Sequence, residues 1–337
     1  MKNWLARLFG GAAAAPGAAT AVAASAAAAA ASGAGAAIGA GDEDAAGAAR
    51  RVLDAAFWRW LTQDVAGEPT DAARQRALDA VARLATAPGA AADMVPRVPE
   101  VIPRLLRSLR DEGVSSGELA RQVARDPALL AETIREANSP FYRPASPVRS
   151  IDAAVMVLGQ NGLRMLIARA AFRPVIGMRA GACANRVAPQ VWRHSERCAR
   201  VAGLLAPGLG ADPFEAYLAG LMHDVGLVVA FRLFDRFLGT SGVPQDVAFA
   251  AAALDGARAL SARIAQHWEL PAPVAGAIVR AGRAGTRPLA EALGQADRLA
   301  KLRLLFDAGA LGADDARLAT LPAAQAHVFG RLGDDAA

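Results

Sequence analysis

Apolar residues recur at a helical period over most of this chain, and alternating strand-like runs are almost absent. Between about residues 46 and 88, Val52, Leu53, Ala56, Phe57, Trp60 and Leu61 stand three and four apart, which predicts a helix. A break at Gly67-Glu-Pro69 follows. Thr70 then offers an N-cap for a second helix carrying Leu78, Val81 and Leu84, so residues 46–92 read as a helical hairpin. The cluster Phe57-Trp58-Arg59-Trp60 reads as packing rather than as a base-stacking platform.

Val95-Pro-Arg-Val-Pro99 opens the main body, which spans residues 95–305. Asp126-Pro127 is an N-cap followed by proline at the first helical position. Ala137-Asn-Ser-Pro140 ends that helix, and residues 141–147 form a rigid loop. Ser150 can cap the next helix, with Asp152 in its first turn favouring the dipole, and Gly159 and Gly162 break it before residues 163–172. One later helix carries Trp192, His194, Cys198 and Val201, and Asp212-Pro213 opens another that runs to the pair His223–Asp224. Further helices cover about 249–268, 271–281 and 289–306, and residues 306–337 form a helical tail. The expected fold class is all-α.

The first nine residues, Met1-Lys-Asn-Trp-Leu-Ala-Arg-Leu-Phe9, form a short amphipathic pattern with Trp4, Leu5, Leu8 and Phe9 on one side. A low-complexity Ala/Gly stretch follows, to about Gly41. Its strongly apolar side chains are only Val22 and Ile38, too sparse for a secretory or membrane-spanning segment. Residues 1–45 therefore read as a disordered arm whose first turns either fray or touch a membrane surface.

Alanine inflates the hydrophobic fraction to 54%, while aromatics are 5%, so the core must be built from Leu, Val and Ala. The formal net charge is +5, but 37 Lys and Arg are interspersed with 32 Asp and Glu. That describes a mixed, solvated surface rather than a nucleic-acid face. Two cysteines, Cys183 and Cys198, form neither a disulfide framework nor a zinc spacing, and they point to a reducing, cytoplasmic setting. Cys198 shares a helix face with His194 and reads as a small buried thiol.

There are only four histidines. His223 and Asp224 are adjacent in Gly220-Leu-Met-His-Asp-Val-Gly226; His194 lies upstream in Val191-Trp-Arg-His-Ser195, and Asp297 downstream in Gln295-Ala-Asp-Arg-Leu299. Two imidazoles and two carboxylates on separate helices make a mixed N/O set suited to one divalent ion. The competing reading is a hydrogen-bonded pair that docks helices. His267 is read as packing beside Trp268, and His327 as a surface residue.

In this order the motifs resemble the HDOD domain, a helical relative of the HD phosphohydrolases found in bacterial signalling proteins. The resemblance rests on Asp126-Pro127, Ala137-Asn-Ser-Pro-Phe-Tyr142, Ser150-Ile151 leading to Val157-Leu-Gly159, Val191-Trp-Arg-His-Ser195, Ala219-Gly-Leu-Met-His-Asp-Val-Gly226 and His267-Trp-Glu-Leu-Pro271. It implies a cytoplasmic regulatory module, usually non-catalytic, that acts through signalling protein partners or a nucleotide. By the HD scheme it implies His194, His223, Asp224 and Asp297 as ligands of one divalent ion (Mn, Fe, Mg or Zn). Two departures weigh against catalysis. The stretch Leu227-Val-Val-Ala-Phe-Arg-Leu-Phe234 lacks the lysine that often follows in active HD enzymes, and Ala281-Gly-Arg-Ala-Gly-Thr-Arg287 stands where the cyclic-dinucleotide branch carries histidines and a Gly-Tyr-Pro signature.

Three function classes follow. The first is a regulatory binding module. The second is a mononuclear metal-dependent phosphohydrolase, in which Arg193, Arg197 or Arg298 would offset phosphate charge. The third is a nucleic-acid-binding regulator, for which residues 150–165 superficially resemble a helix-turn-helix. There the apolar run Leu163-Arg-Met-Leu-Ile167 reads as core rather than as a recognition helix.

Overall fold

The computed structural model describes residues 40–86, 115–140, 142–176, 181–283 and 285–333; the terminal segment 1–9, the Ala/Gly arm to residue 39 and the opening motif at 95–99 lie outside the described residues. Among the described residues every regular element is helical, as the apolar period predicts. α1 (Ala40–Thr62) and α2 (Asp71–Thr86) are the two helices that the apolar period predicts, but they pack on the helices of the central body rather than on each other; Thr70 caps α2 through its Oγ1, which accepts the Ala73 amide at 3.3 Å. α3 (Ser116–Ala124) and α4 (Pro127–Ala137) follow, with the Asp126 carboxylate accepting the Ala128 and Leu129 amides as the Asp-Pro pair predicts. Asn138 ends α4 and pins the following loop: its amide oxygen accepts from Val148 N and its amide nitrogen donates to Val148 O, both at 2.8 Å.

α5 (Ile151–Ile176) is kinked at Gly159, whose φ of 66° lies in the left-handed region. The break belongs to Gly159 alone. Gly162 stays helical, and a Cβ there would stand 3.0 Å from Leu158 Cβ and 3.2 Å from the Tyr142 hydroxyl, so its smallness serves packing. Beyond the kink, Leu163, Leu166 and Ile167 are buried. The half that a helix-turn-helix would present to DNA is therefore core.

The central body is α6 (Ala182–Leu209), α7 (Pro213–Met222), α8 (Val225–Phe237), α9 (Val247–His267), α10 (Ala272–Arg280) and α11 (Pro288–Asp307); two short helices, α12 (Ala316–Ala319) and α13 (Ala323–Arg331), follow. α7 and α8 meet at His223–Asp224. Together, Pro213–Phe237 is long and apolar enough to cross a membrane by composition, yet 89% of that window is buried inside the protein, the signature of core helices. Gly220 brings α7 against α6: a Cβ on it would lie 2.5 Å from Ala199 Cα, so only glycine permits this approach. That contact sets His223 beside His194.

Both α1 and α2 are built into this core. Trp58 is fully buried, stacks on Phe231 at 5.6 Å between centroids, and donates from Nε1 to Pro244 O at 2.8 Å. The aromatic cluster thus packs, as its helical spacing predicts. At the other end, Leu53 of α1 joins Leu302, Leu305 and Leu311 in a second apolar cluster. His267 corrects its sequence reading: it is exposed, and the packing residue is Trp268, stacked on Phe172 at 6.0 Å.

Trp58→Ala is expected to cost about 3–5 kcal/mol, as for other buried aromatics, read as a lowered denaturation midpoint of the full chain. Gly220→Ala should cost about 3 kcal/mol in the same measurement, because its Cβ meets backbone that cannot turn aside.

Candidate metal centre

His194 projects from the middle of α6, His223 and Asp224 occupy the α7–α8 junction, and Asp297 projects from α11. The fold brings all four together. His194, His223 and Asp224 each offer a ligand atom, all within 4.8 Å of one another. His194 is fully buried and His223 is 3% exposed.

Hydrogen bonds orient both rings. His194 Nδ1 lies 2.5 Å from Asp224 Oδ2, and His223 Nδ1 lies 2.8 Å from the Gly220 carbonyl. Donation from Nδ1 in each case leaves Nε2 facing inward, the arrangement by which outer acceptors set the tautomer of ligating histidines. Both Nε2 atoms stand 3.4 Å from Asp297 Oδ1, and His223 Nε2 is 3.5 Å from Asp224 Oδ1. His194 Nε2 is buried without a hydrogen-bond partner. Donors about 2.1 Å from a shared tetrahedral centre stand roughly 3.4 Å apart, so each Nε2 is spaced from Asp297 Oδ1 as two ligands of one small divalent ion would be. The group whose ligand atoms all lie close to one another is His194, His223 and Asp224, without Asp297.

The second oxygen of Asp297 is held from the far side. Lys301, one helical turn along α11, donates from Nζ to Asp297 Oδ2 at 2.8 Å and to Asp54 Oδ1 of α1 at 2.5 Å. Its ammonium also lies 5.2 Å from the Phe57 ring centroid. Phe57 is itself 4.6 Å from the His194 ring, centroid to centroid, and closes the site on the α1 side. Arg258 of α9 adds a cation 3.9 Å from Asp297 Oδ2.

Charge follows from this geometry. Burial alone would raise the Asp224 carboxyl, but His223 and His194 pull it down to about 2. Burial also opposes ionisation of Asp297, yet Lys301 and the two imidazoles hold it well below the carboxylate range. Burial disfavours a charged His223; the Asp224 carboxylate foremost, with the hydrogen bond to Asp297, outweighs that and raises it well above its ordinary value. Lys301 is held charged, raised to about 12, because Asp297 and Asp54 outweigh its burial. Burial pushes the Cys198 thiol up, which keeps it the neutral buried group expected from sequence.

The cations that face the centre differ from those nearest in sequence. Arg197 pairs with Asp307 at 2.7 Å and turns away, Arg193 is exposed, and Arg298 lines a neighbouring cavity. The inward cations are Lys301 and Arg258. Lys301 was legible from its four-residue step after Asp297, which puts both on one helix face. Asp54 carried no such signal, because 247 residues separate it from Lys301.

The HDOD domain family profile matches residues 95–283, more than half of the chain, and the chain belongs to that family. An uncharacterised protein of Treponema pallidum is 23% identical over 191 residues, a stretch covering 54% of this chain and 36% of that protein. Among solved structures, a candidate metal-dependent phosphohydrolase from Shewanella amazonensis superposes with a TM-score of 0.55 at 18% identity, over 77% of this chain and 98% of the other. An HDOD domain protein of unknown function from Geobacter sulfurreducens gives 0.51 at 24% identity, over 75% and 88%. At these identities the likeness is one of fold.

The depressed carboxyl of Asp224 makes a pH prediction. A carboxyl lowered from its usual value near 4 to about 2 adds stability that is present above pH 4 and lost as pH falls toward 2. Asp224→Asn should therefore be about 2 kcal/mol less stable than the parent at pH 7, with the gap closing toward pH 2 in denaturation series.

Proposed function

We propose that this chain is a signal-transduction module of HDOD type whose buried His/Asp centre holds one divalent ion in a structural role, and which acts by binding a protein partner rather than by turnover. The observation that carries the reading is the closure of the centre. Structural metal sites are sealed, whereas catalytic ones keep a coordination position open to substrate. Here Phe57 lies on His194, and Lys301 ties Asp297 to Asp54 of the same helix. The two imidazoles are themselves buried, and only the Asp297 side of the centre borders the cavity between α1 and α11.

His194, His223, Asp224 and Asp297 are the residues that would hold the ion. A bound divalent ion supplies Lewis acidity and lowers the pKa of a coordinated water. The chain's own groups do the rest: Asp224 and the Gly220 carbonyl orient the imidazoles, Lys301 offsets the charge of Asp297, and Phe57 excludes water. Loading the centre displaces the proton that His223 carries, so affinity should rise with pH.

The mononuclear phosphohydrolase is the second reading, favoured by the convergence of the two Nε2 atoms and Asp297 Oδ1. One experiment separates the two. Full-length protein, purified without chelator, is assayed for metal by mass spectrometry and for hydrolysis of bis(p-nitrophenyl) phosphate with added manganese, beside His223→Ala. The structural reading expects about one ion per parent chain, none in the variant, and no turnover in either. Metal-dependent turnover by the parent would establish the hydrolase instead, and a parent chain that takes up no ion would remove the metal centre altogether.

A further inference from the structure

A cavity of about 180 Å³ opens where α4, its following loop and α5 meet α6 and α7, and it shares no lining residue with the histidine centre. Leu158, Gly162 and Met165, four and then three residues apart, turn one face of α5 toward it. Gly162 and Gly203 of α6 line the space without filling it. The surrounding helices are tied together by charge. Arg169 of α5 pairs with Glu132 at 2.8 Å and with Glu136 at 3.0 Å, both on α4, and Arg200 of α6 reaches Glu136 at 3.2 Å. These bridges hold α4, α5 and α6 in register around the cavity.

The polar and apolar parts of the lining differ in what they lack. Arg169 and Arg200 are already matched, since Glu196 adds a third carboxylate 3.8 Å from Arg169, and both oxygens of Glu136 are taken by guanidinium. The site therefore calls for no further charge. Its apolar side chains, among them Met165 and Leu204, are only half-buried and face open space. Tyr217 of α7 is the polar exception. It lines the cavity at 4% exposure, yet its hydroxyl makes no hydrogen bond among the described residues. Burial pushes its pKa up, which keeps it a protonated donor. A buried hydroxyl without an acceptor is costly, and a ligand oxygen would relieve that cost. An apolar cavity of about 150 Å³ is enough for a benzene ring, and a methionine thioether packs favourably against an aromatic edge.

We infer that this cavity binds an uncharged single-ring aromatic molecule bearing one oxygen acceptor, with its ring against Met165 and Leu204 and its oxygen on the Tyr217 hydroxyl. Such a ligand touches α5, α6 and α7 at once. α6 carries His194 and α7 runs to His223, so occupancy braces two of the helices that frame the histidine centre.

A ligand-observed NMR titration of the full chain with benzyl alcohol tests this, beside toluene, which lacks the oxygen, and benzoate, which adds a charge. Benzyl alcohol should bind at millimolar concentration and benzoate should not. Tyr217→Phe keeps the ring and removes the hydroxyl. It should weaken benzyl alcohol about fivefold, the net worth of one neutral hydrogen bond, and leave toluene unchanged. Leu204→Trp should fill the cavity and abolish binding of both rings; should that variant not fold, the contrast between the two rings in Tyr217→Phe decides alone. Binding should persist in chelator-treated protein, which keeps the result distinct from the fate of the metal reading. No binding of benzyl alcohol, binding unaffected by a folded Leu204→Trp, equal effects of Tyr217→Phe on both rings, or a preference for benzoate would each overturn the inference.

Discussion

The carboxylate of Asp297 organises the centre of this protein. A buried anion must be neutralised or its burial becomes prohibitive, and no single partner does so here. Lys301 takes one oxygen, the imidazoles of His194 and His223 face the other, and Arg258 stands behind. Because Lys301 lies deep, its own charge needs a second anion, and Asp54 of α1 provides it. One buried charge thus fixes the relative positions of α1, α6, the α7–α8 junction, α9 and α11.

The same chain of neutralisation crosses the limits of the family domain. The HDOD match ends at residue 283, whereas Asp297 and Lys301 follow it and Asp54 precedes it. The histidines and Asp224 belong to the shared scaffold; the groups that charge-balance and cover them come from the flanks. Function in such folds resides in sites placed on a common frame, and here the flanking helices supply part of the surroundings of that frame's histidines. Phe57 illustrates the point, since it belongs to the main apolar core yet its ring also covers His194.

Helix ends were legible residue by residue. Asp126, Asp212 and Thr70 cap the helices their sequence contexts announce, because capping is a hydrogen bond between near neighbours and needs no tertiary contact. The failures were of another kind. Gly162 reads as a breaker but is a packing glycine, and His267 reads as packed but is exposed. In both cases local pattern could not say which neighbour from a distant helix would arrive.

The helical period, the caps and the order of short motifs were enough to determine an all-α chain and its family, since each depends on residues within a few turns of one another. They also marked out His194, His223, Asp224 and Asp297. Only the tertiary structure decided how those four are brought together. Asp54 and Lys301 lie 247 residues apart, and the turn after α10 is brought onto α11 at Gly294 only by the fold. Coulombic pairing and cavity shape depend on distance in space, and the chain order of these residues carries no record of it.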